Sequence, residues 1–201
     1  MASTMKITLP KGLAVHPHLS APDYKYDTNG VYQSRLRVPV EAAKPVMDKI
    51  ATYFENYAGK KLTPKENTVF ELEEDDTGER TGNVLFKVKA ANKVNRNGEL
   101  WDRKPRLVDA SGQPTKANIG AGSTIRIGCE IYAWTNSSGK KGVSLQPQIV
   151  QVIDLVEPSS SVSLEEFGIE AEDGYSASND SLDDAFMDAP DIMEADDHDD
   201  F

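Results

Sequence analysis

Apolar and polar positions alternate along most of the first 157 residues, which is the pattern of half-buried β-strands. In the segment VYQSRLRVPV (31–40), Leu36 and Val38 fall on one face. Arg35 and Arg37 fall on the opposite face. Further strand-like segments, separated by glycine-rich or charged turns, cover 6–19, 67–75, 82–94, 104–110, 123–134 and 142–156. The pattern therefore predicts a mainly β body.

One segment has the period of a helix instead. At about 41–58 the apolar residues recur at spacings of three and four. They are Val46, Ile50, Tyr53, Phe54 and Tyr57. Pro45 is predicted in the first turn and Gly59 is predicted to end the helix.

The predicted fold is an OB-fold-like five-stranded barrel with one added helix, because several β segments and a single helix fit a small barrel. A β-sandwich would give a similar pattern and remains an alternative. We expect residues 1–157 to form the barrel domain, since this is an ordinary length for one domain. Residues 158–201 are predicted to be a disordered acidic tail.

Charge is distributed very unevenly between these two parts. Residues 158–201 hold 15 of the 33 acidic side chains and none of the 22 Lys and Arg, which leaves 18 acids against 22 bases in residues 1–157. A basic body joined to an acidic tail indicates nucleic-acid binding by the body and an interaction role for the tail. A solvated surface with a solubilising tail is the plainer alternative.

The tail ends in MEADDHDDF, which offers carboxylates, an aromatic ring and the terminal carboxylate to a partner. Its predicted partner-binding residues are Asp196, Asp197, Asp199, Asp200 and Phe201. The same tail could compete with nucleic acid for the basic body, because it carries the same sign of charge.

The candidate binding residues are bases and aromatics on the polar faces of the strands and in the loop NRNGELWDRKPR. Cationic side chains neutralise phosphates and exposed rings stack on bases, so this combination is typical of sequence-independent binding of single strands. The alternative for the aromatics is structural, with Tyr132 and Trp134 closing the barrel mouth or a dimer contact and Trp101 holding its loop. The candidates are Arg35, Lys87, Lys89, Lys93, Arg96, Trp101, Arg103, Lys104, Arg106, Arg126, Tyr132 and Trp134.

No arrangement of nucleophile, base and orienting acid predicts an enzyme, and the sequence predicts no metal site and no cofactor. Cys129 lies in an isoleucine-rich strand and is predicted to be a buried structural thiol. A single Cys fits a reducing cytoplasm. No apolar run reaches the length of a membrane span, so no membrane partner is expected.

Four stretches of the sequence together resemble the single-stranded DNA-binding proteins of short-tailed lytic phages. They are LPKGLAVHPHLSAPDYKYDTNGVYQSRLRVPVEAAKPVMDKI (9–50), RKPRLVDASGQPTKANIGAGSTIRIGCEIYAW (103–134), GKKGVSLQPQIVQVIDL (139–155) and the final DDF. The resemblance covers most of the body and the end of the tail. It implies an OB-fold with an added helix and DNA contacts on the basic and aromatic groove.

The resemblance also implies a role in phage DNA replication, recombination and repair in the cytoplasm of the infected bacterial host. In that family the protein coats exposed DNA, promotes annealing and contacts the replicative DNA polymerase and the primase-helicase through a tail whose terminal aromatic corresponds to Phe201. A homodimer is expected from the same likeness. Two alternatives stay open from the residues alone: an RNA-binding OB protein, and an acidic-tailed adaptor or chaperone without nucleic-acid binding. The acidic stretch FELEEDD (70–76) is hypothesised to face away from DNA.

Overall fold

Strands dominate the computed structural model, which describes residues 4–25, 27–64 and 66–158. Within these ranges the chain forms ten strands and one helix. In chain order they are β1 (Met5–Thr8), β2 (Gly12–Asp23), β3 (Val31–Pro39), α1 (Val40–Ala58), β4 (Phe70–Glu74), β5 (Arg80–Ala91), β6 (Lys93–Val94), β7 (Leu100–Trp101), β8 (Arg106–Val108), β9 (Thr124–Thr135) and β10 (Lys141–Asp154).

Five of these strands close into a ring. The pairs β2–β3, β3–β5, β9–β10 and β2–β9 are antiparallel, whereas β5 and β10 are parallel, with Leu145 opposite Val88. The order β2–β3–β5–β10–β9 thus returns to β2. This closure is that of an OB-like barrel and confirms the predicted fold. A β-sandwich is excluded, because the strands form one closed sheet.

The remaining strands extend the ring at its edges. β1 pairs with β9, β4 pairs with β5, and β8 runs parallel to β10. β6 and β7 form a separate two-stranded hairpin that projects between β5 and β8. This hairpin contains part of the loop in which the sequence placed several candidate residues.

Side chains on the inner face of the ring form the core. On β5 Phe86, Val88 and Ala90 are buried, and on β9 Ile125 and Ile127 are fully buried. Helix α1 adds its own apolar face to the same cluster through Ala43, Val46, Ile50 and Phe54. The alternate residues of these strands must therefore point outward, where a ligand can reach them.

The helix matches its predicted bounds, but Pro45 lies further along it than predicted. Gly59 adopts a left-handed conformation with φ 71° and its N–H bonds to the Glu55 carbonyl, so the predicted stop is confirmed. The prediction that Pro45 lies in the first turn is wrong, because the helix begins at Val40 and Pro45 lies inside it. The carbonyl of Glu41, which Pro45 leaves without its helical donor, belongs to an exposed residue that water can reach.

Four turns share one construction. Asp75, Asn95, Asp109 and Asn136 each accept, through a side-chain oxygen, the backbone N–H groups two and four residues later. In each turn the residue three positions after the acceptor is a glycine with positive φ. The side-chain oxygen replaces backbone bonds that the reversing chain loses, which is why Asp or Asn stands at these positions.

Within the described residues, no helix has the length and apolar content needed to cross a membrane.

Candidate nucleic-acid interface

The outer face of β3 and β5 carries a ladder of cations. Lys87 and Lys89 alternate with the buried residues of β5, as predicted. The register places Arg35 opposite Lys87 and Gln33 opposite Lys89. Directly opposed residues lie on the same face, so these four side chains form one polar surface.

This surface forms one wall of a depression of about 760 Å³. Three predicted residues, Arg35, Lys87 and Lys89, line it. His16, His18 and Lys25 also line it and were missed by the sequence analysis. β2 has an irregularity in its pairing with β3 between Val15 and His18, and His16 has φ 48°. Strict alternation therefore does not predict which way the side chains of this stretch point.

A second depression, of about 460 Å³, brings together five more of the predicted residues. Glu130, Gln146 and Gln148 contribute polar groups to it. Trp101 and Tyr132 present exposed rings, with 60% and 40% of their surface accessible. The five predicted residues are Lys93, Trp101, Arg103, Lys104 and Tyr132.

The two depressions lie on the same face of the barrel. Ser144 of β10 lines the first and Gln146 of β10 lines the second. Residues two apart on a strand point the same way, and Ser144 pairs with Tyr132. We call the residues lining both depressions the groove. It is cationic at one end, and it is aromatic and cationic at the other.

Arg103 holds the aromatic end in place. Its guanidinium carbon lies 5.4 Å from the centre of the Trp101 ring, a cation–π geometry. The same guanidinium donates to the Gln146 side-chain oxygen across the groove. The ring of Trp101 is thus supported by Arg103 while 60% of its surface stays accessible. This exposure leaves the ring accessible to a base, as the binding interpretation requires.

Asn92 anchors the base of the β6–β7 hairpin. Its side chain is buried, accepts the Arg103 N–H at 2.8 Å and donates to the Asn29 carbonyl at 2.9 Å. The Asn92 N–H donates to the Gly30 carbonyl at 3.0 Å. Asn92 thus ties together the β2–β3 loop, the end of β5 and the segment that follows the hairpin.

Tyr32 gives the hairpin a second anchor. Burial, together with a hydrogen bond to Asp102 and the negative charge of that carboxylate, raises the pKa of Tyr32 to about 12. Tyr32 belongs to the inner face of β3 and Asp102 directly follows the hairpin. The phenol therefore stays protonated and bonded to the loop throughout the physiological range.

Trp134 is placed differently from Trp101. Its half-buried ring lies on Gly142 of β10, where an added Cβ would meet ring atoms at 2.2 Å. Only glycine leaves room for the ring at this position. Trp134 lines neither depression, so its position favours the structural alternative named for it above.

Three predicted cations also lie outside both depressions. Arg96 is exposed in the hairpin turn. Arg106 and Arg126 are exposed on β8 and β9, which flank β10 at Ile149 and Gln151. The structure therefore gathers eight of the twelve predicted residues and leaves four elsewhere on the surface.

The acidic strand β4 lies next to the cationic end of the groove. Glu71 accepts from Lys87 at 2.5 Å and lies 3.7 Å from Arg35. Glu73 forms an ion pair with Arg37 at 2.6 Å. The stretch 70–76 was hypothesised to face away from DNA. One of its carboxylates, that of Glu71, instead lies against Lys87 and Arg35, which are two of the predicted DNA-binding residues.

Hydrogen bonds within the fold hold the Glu73 carboxylate in place. Burial raises the pKa of its carboxyl, but hydrogen bonds from Thr81, Arg37 and Asn83 outweigh this and lower the pKa overall. A carboxylate held by three donors stays charged and fixed. Glu73 therefore stabilises the β4–β5 edge.

Cys129 is buried as predicted, and burial raises the pKa of its thiol far above its usual range. Within the described ranges no group of three or more His, Cys, Asp or Glu side chains is placed to hold a metal ion. The predicted partner-binding residues Asp196 to Phe201 lie outside the described part of the chain.

Comparison with solved structures finds the same fold in phage proteins that bind single-stranded DNA. The chain is similar to gp2.5, a single-stranded DNA-binding protein encoded by bacteriophage T7, with a TM-score of 0.58 and 22% identity over 88% of this chain and 100% of that one. It is also similar to the single-stranded DNA-binding protein of bacteriophage Enc34 in complex with single-stranded DNA, with a TM-score of 0.58 and 15% identity over 77% and 89% of the two chains. No family model and no curated protein matches the sequence. At these identities the likeness establishes the fold.

Proposed function

We propose that the chain is a sequence-independent single-stranded DNA-binding protein without enzymatic activity. The observation that carries the proposal is the groove, which places six cations and two exposed rings among the predicted residues on one face of an OB-like barrel. Phosphates would meet Lys and Arg while bases stack on Trp101 and Tyr132. A structural neighbour solved with single-stranded DNA supports the choice of ligand.

The groove is suited to a flexible strand more than to a duplex. Its aromatic groups need a base face, which a duplex hides in its stack. Phosphate contacts carry no sequence information, and stacking is tolerant of sequence because every base has a flat face. The proposed ligand is therefore any single strand, coated along its backbone.

The proposed wider role rests on the similarity to phage proteins and on the uneven distribution of charge along the chain. We infer that the protein coats single strands during phage DNA replication, recombination and repair and promotes their annealing in the host cytoplasm. Its acidic tail, ending in Phe201, recruits the replicative DNA polymerase and the primase-helicase. The protein acts as a homodimer.

A fluorescence titration of the full-length protein tests the binding proposal. Trp101 and Trp134 report on the addition of single-stranded DNA, duplex DNA or single-stranded RNA at two salt concentrations. We expect quenching by single-stranded DNA in preference to the others, weakened by salt because phosphate contacts release counterions. A preference for RNA would favour the RNA-binding alternative, and no binding at low salt would favour an adaptor.

A further inference from the structure

Glu71 forms ion pairs with two cations that would otherwise be free to bind a nucleic-acid phosphate. Its Oε2 accepts from Lys87 Nζ at 2.5 Å, and its Oε1 lies 3.7 Å from Arg35 Nη1. Lys87 and Arg35 both line the first depression, whereas Glu71 itself does not. The carboxylate thus reaches both cations from β4 without being part of the lining of the depression.

The contact is open to solvent and therefore replaceable. The side chains of Glu71, Arg35 and Lys87 are 42%, 48% and 38% exposed. Ion pairs at such exposure are weak, because water and salt compete with them. A phosphate that brings further contacts could displace this carboxylate at little cost.

Glu73, two residues along the same strand, provides the contrast. Its side chain is only 10% exposed, and it is held by Thr81 and Asn83 as well as by Arg37. Arg37 does not line the first depression. Glu73 is a fixed structural acid, whereas Glu71 is an exchangeable one.

We propose that Glu71 sets the affinity of the groove: single-stranded DNA enters the first depression by replacing the Glu71 carboxylate on Lys87 and Arg35 with a backbone phosphate. This inference rests on the proposed function. Before binding, Glu71 keeps the two cations partly neutralised. An anion gains from the exchange only if it also reaches other groups of the groove, such as Lys89 and Trp101. The exchange thus favours a strand with consecutive phosphates over a single small anion.

The test compares Glu71→Gln with the unchanged full-length protein in titrations with a thymidine oligonucleotide at several salt concentrations. Glutamine keeps the shape of the side chain and removes its charge, and the exposed site tolerates it. We expect binding tighter by about two- to tenfold at low salt. The ratio should fall as salt rises, because the repulsion between carboxylate and phosphate is screened.

Glu74→Gln is the matched control. Glu74 lies on the same strand and lines neither depression, and the substitution changes the net charge equally. The inference requires Glu74→Gln to bind like the unchanged protein. An equal increase in affinity in both variants would show that only net charge matters. Unchanged or weaker binding by Glu71→Gln would show that the carboxylate does not compete with DNA. Either result overturns the inference while the proposed function stands. Absence of binding by the unchanged protein overturns both.

Discussion

Trp101 shows how an exposed aromatic ring can be both ordered and available. Arg103 lies against the ring and is itself bonded to Gln146, while the Arg103 backbone is bonded to Asn92. The ring therefore loses little conformational entropy when a base stacks on it, because its support already restricts it.

Replacing Trp101 by Ala should weaken binding of single-stranded DNA without unfolding the protein. Loss of one stacked base costs roughly 1–3 kcal/mol, or about five- to 150-fold in the dissociation constant. The melting temperature should hardly change, since 60% of the ring is exposed. Anisotropy of a labelled oligonucleotide measures the affinity, and circular dichroism measures the melting temperature.

Tyr24→Ala serves as the control for that substitution. Tyr24 is also 60% exposed but lines neither depression, so its removal should leave the affinity unchanged. If Trp101→Ala bound as tightly as the unchanged protein, the stacking role would be wrong.

At the scale of elements, the sequence predicts most of the fold because local rules decide it. Alternation along β5 and β9 and the period of α1 reflect which face each element buries. The stop at Gly59 follows from its conformation alone. The parallel β5–β10 pairing that closes the ring depends on segments more than fifty residues apart, and no local pattern specifies it.

Only the part of the groove that follows from alternation along single strands could be predicted from the sequence. Lys87 and Lys89 follow from alternation, whereas His16 and His18 lie in an irregular stretch of β2. The position of Trp134 depends on Gly142 of the neighbouring strand, and the contact of Glu71 with Lys87 depends on the β4–β5 register. Such contacts between strands are set by pairing, which a single sequence does not show.

The anchoring of the hairpin by Tyr32 predicts a specific dependence of stability on pH. Because the folded pKa is raised from 10 to about 12, the contribution is fully present below pH 10. It is lost between pH 10 and about 12, where the unfolded chain releases the proton and the folded chain keeps it. The free energy of unfolding of Tyr32→Phe should therefore fall less steeply in that window.

Urea unfolding of both proteins, followed by tryptophan fluorescence from neutral pH to about pH 12, measures this difference. All other side chains are the same in the two proteins, so their contributions cancel in the comparison. Parallel curves for the two proteins would contradict a raised pKa at Tyr32.

At the scale of the whole molecule, the division of charge links the groove to the tail. The body has an excess of four bases, while residues 158–201 carry 15 acids and no Lys or Arg. A tethered polyanion is present at high effective concentration next to any cationic surface that it can reach. We therefore expect the tail to compete with DNA as well as to recruit partners.

Deletion of the chain after Pro158 should tighten binding of single-stranded DNA and make it more sensitive to salt, because the competing carboxylates are removed. The same deletion should abolish contact with the polymerase. Titration of both chains with one oligonucleotide measures the first effect, and co-sedimentation with the polymerase measures the second. Unchanged DNA affinity would contradict competition and leave recruitment open.

The most direct test of the central claim, that the groove binds single-stranded DNA, is to map the contacts residue by residue. Chemical shifts of the ¹⁵N-labelled full-length protein would be followed as a thymidine oligonucleotide is added. We predict the largest changes at the amides of Lys87, Lys89 and Tyr132 and at the indole N–H of Trp101. Changes confined to the surface around Arg106 and Arg126, with the groove unaffected, would contradict the account.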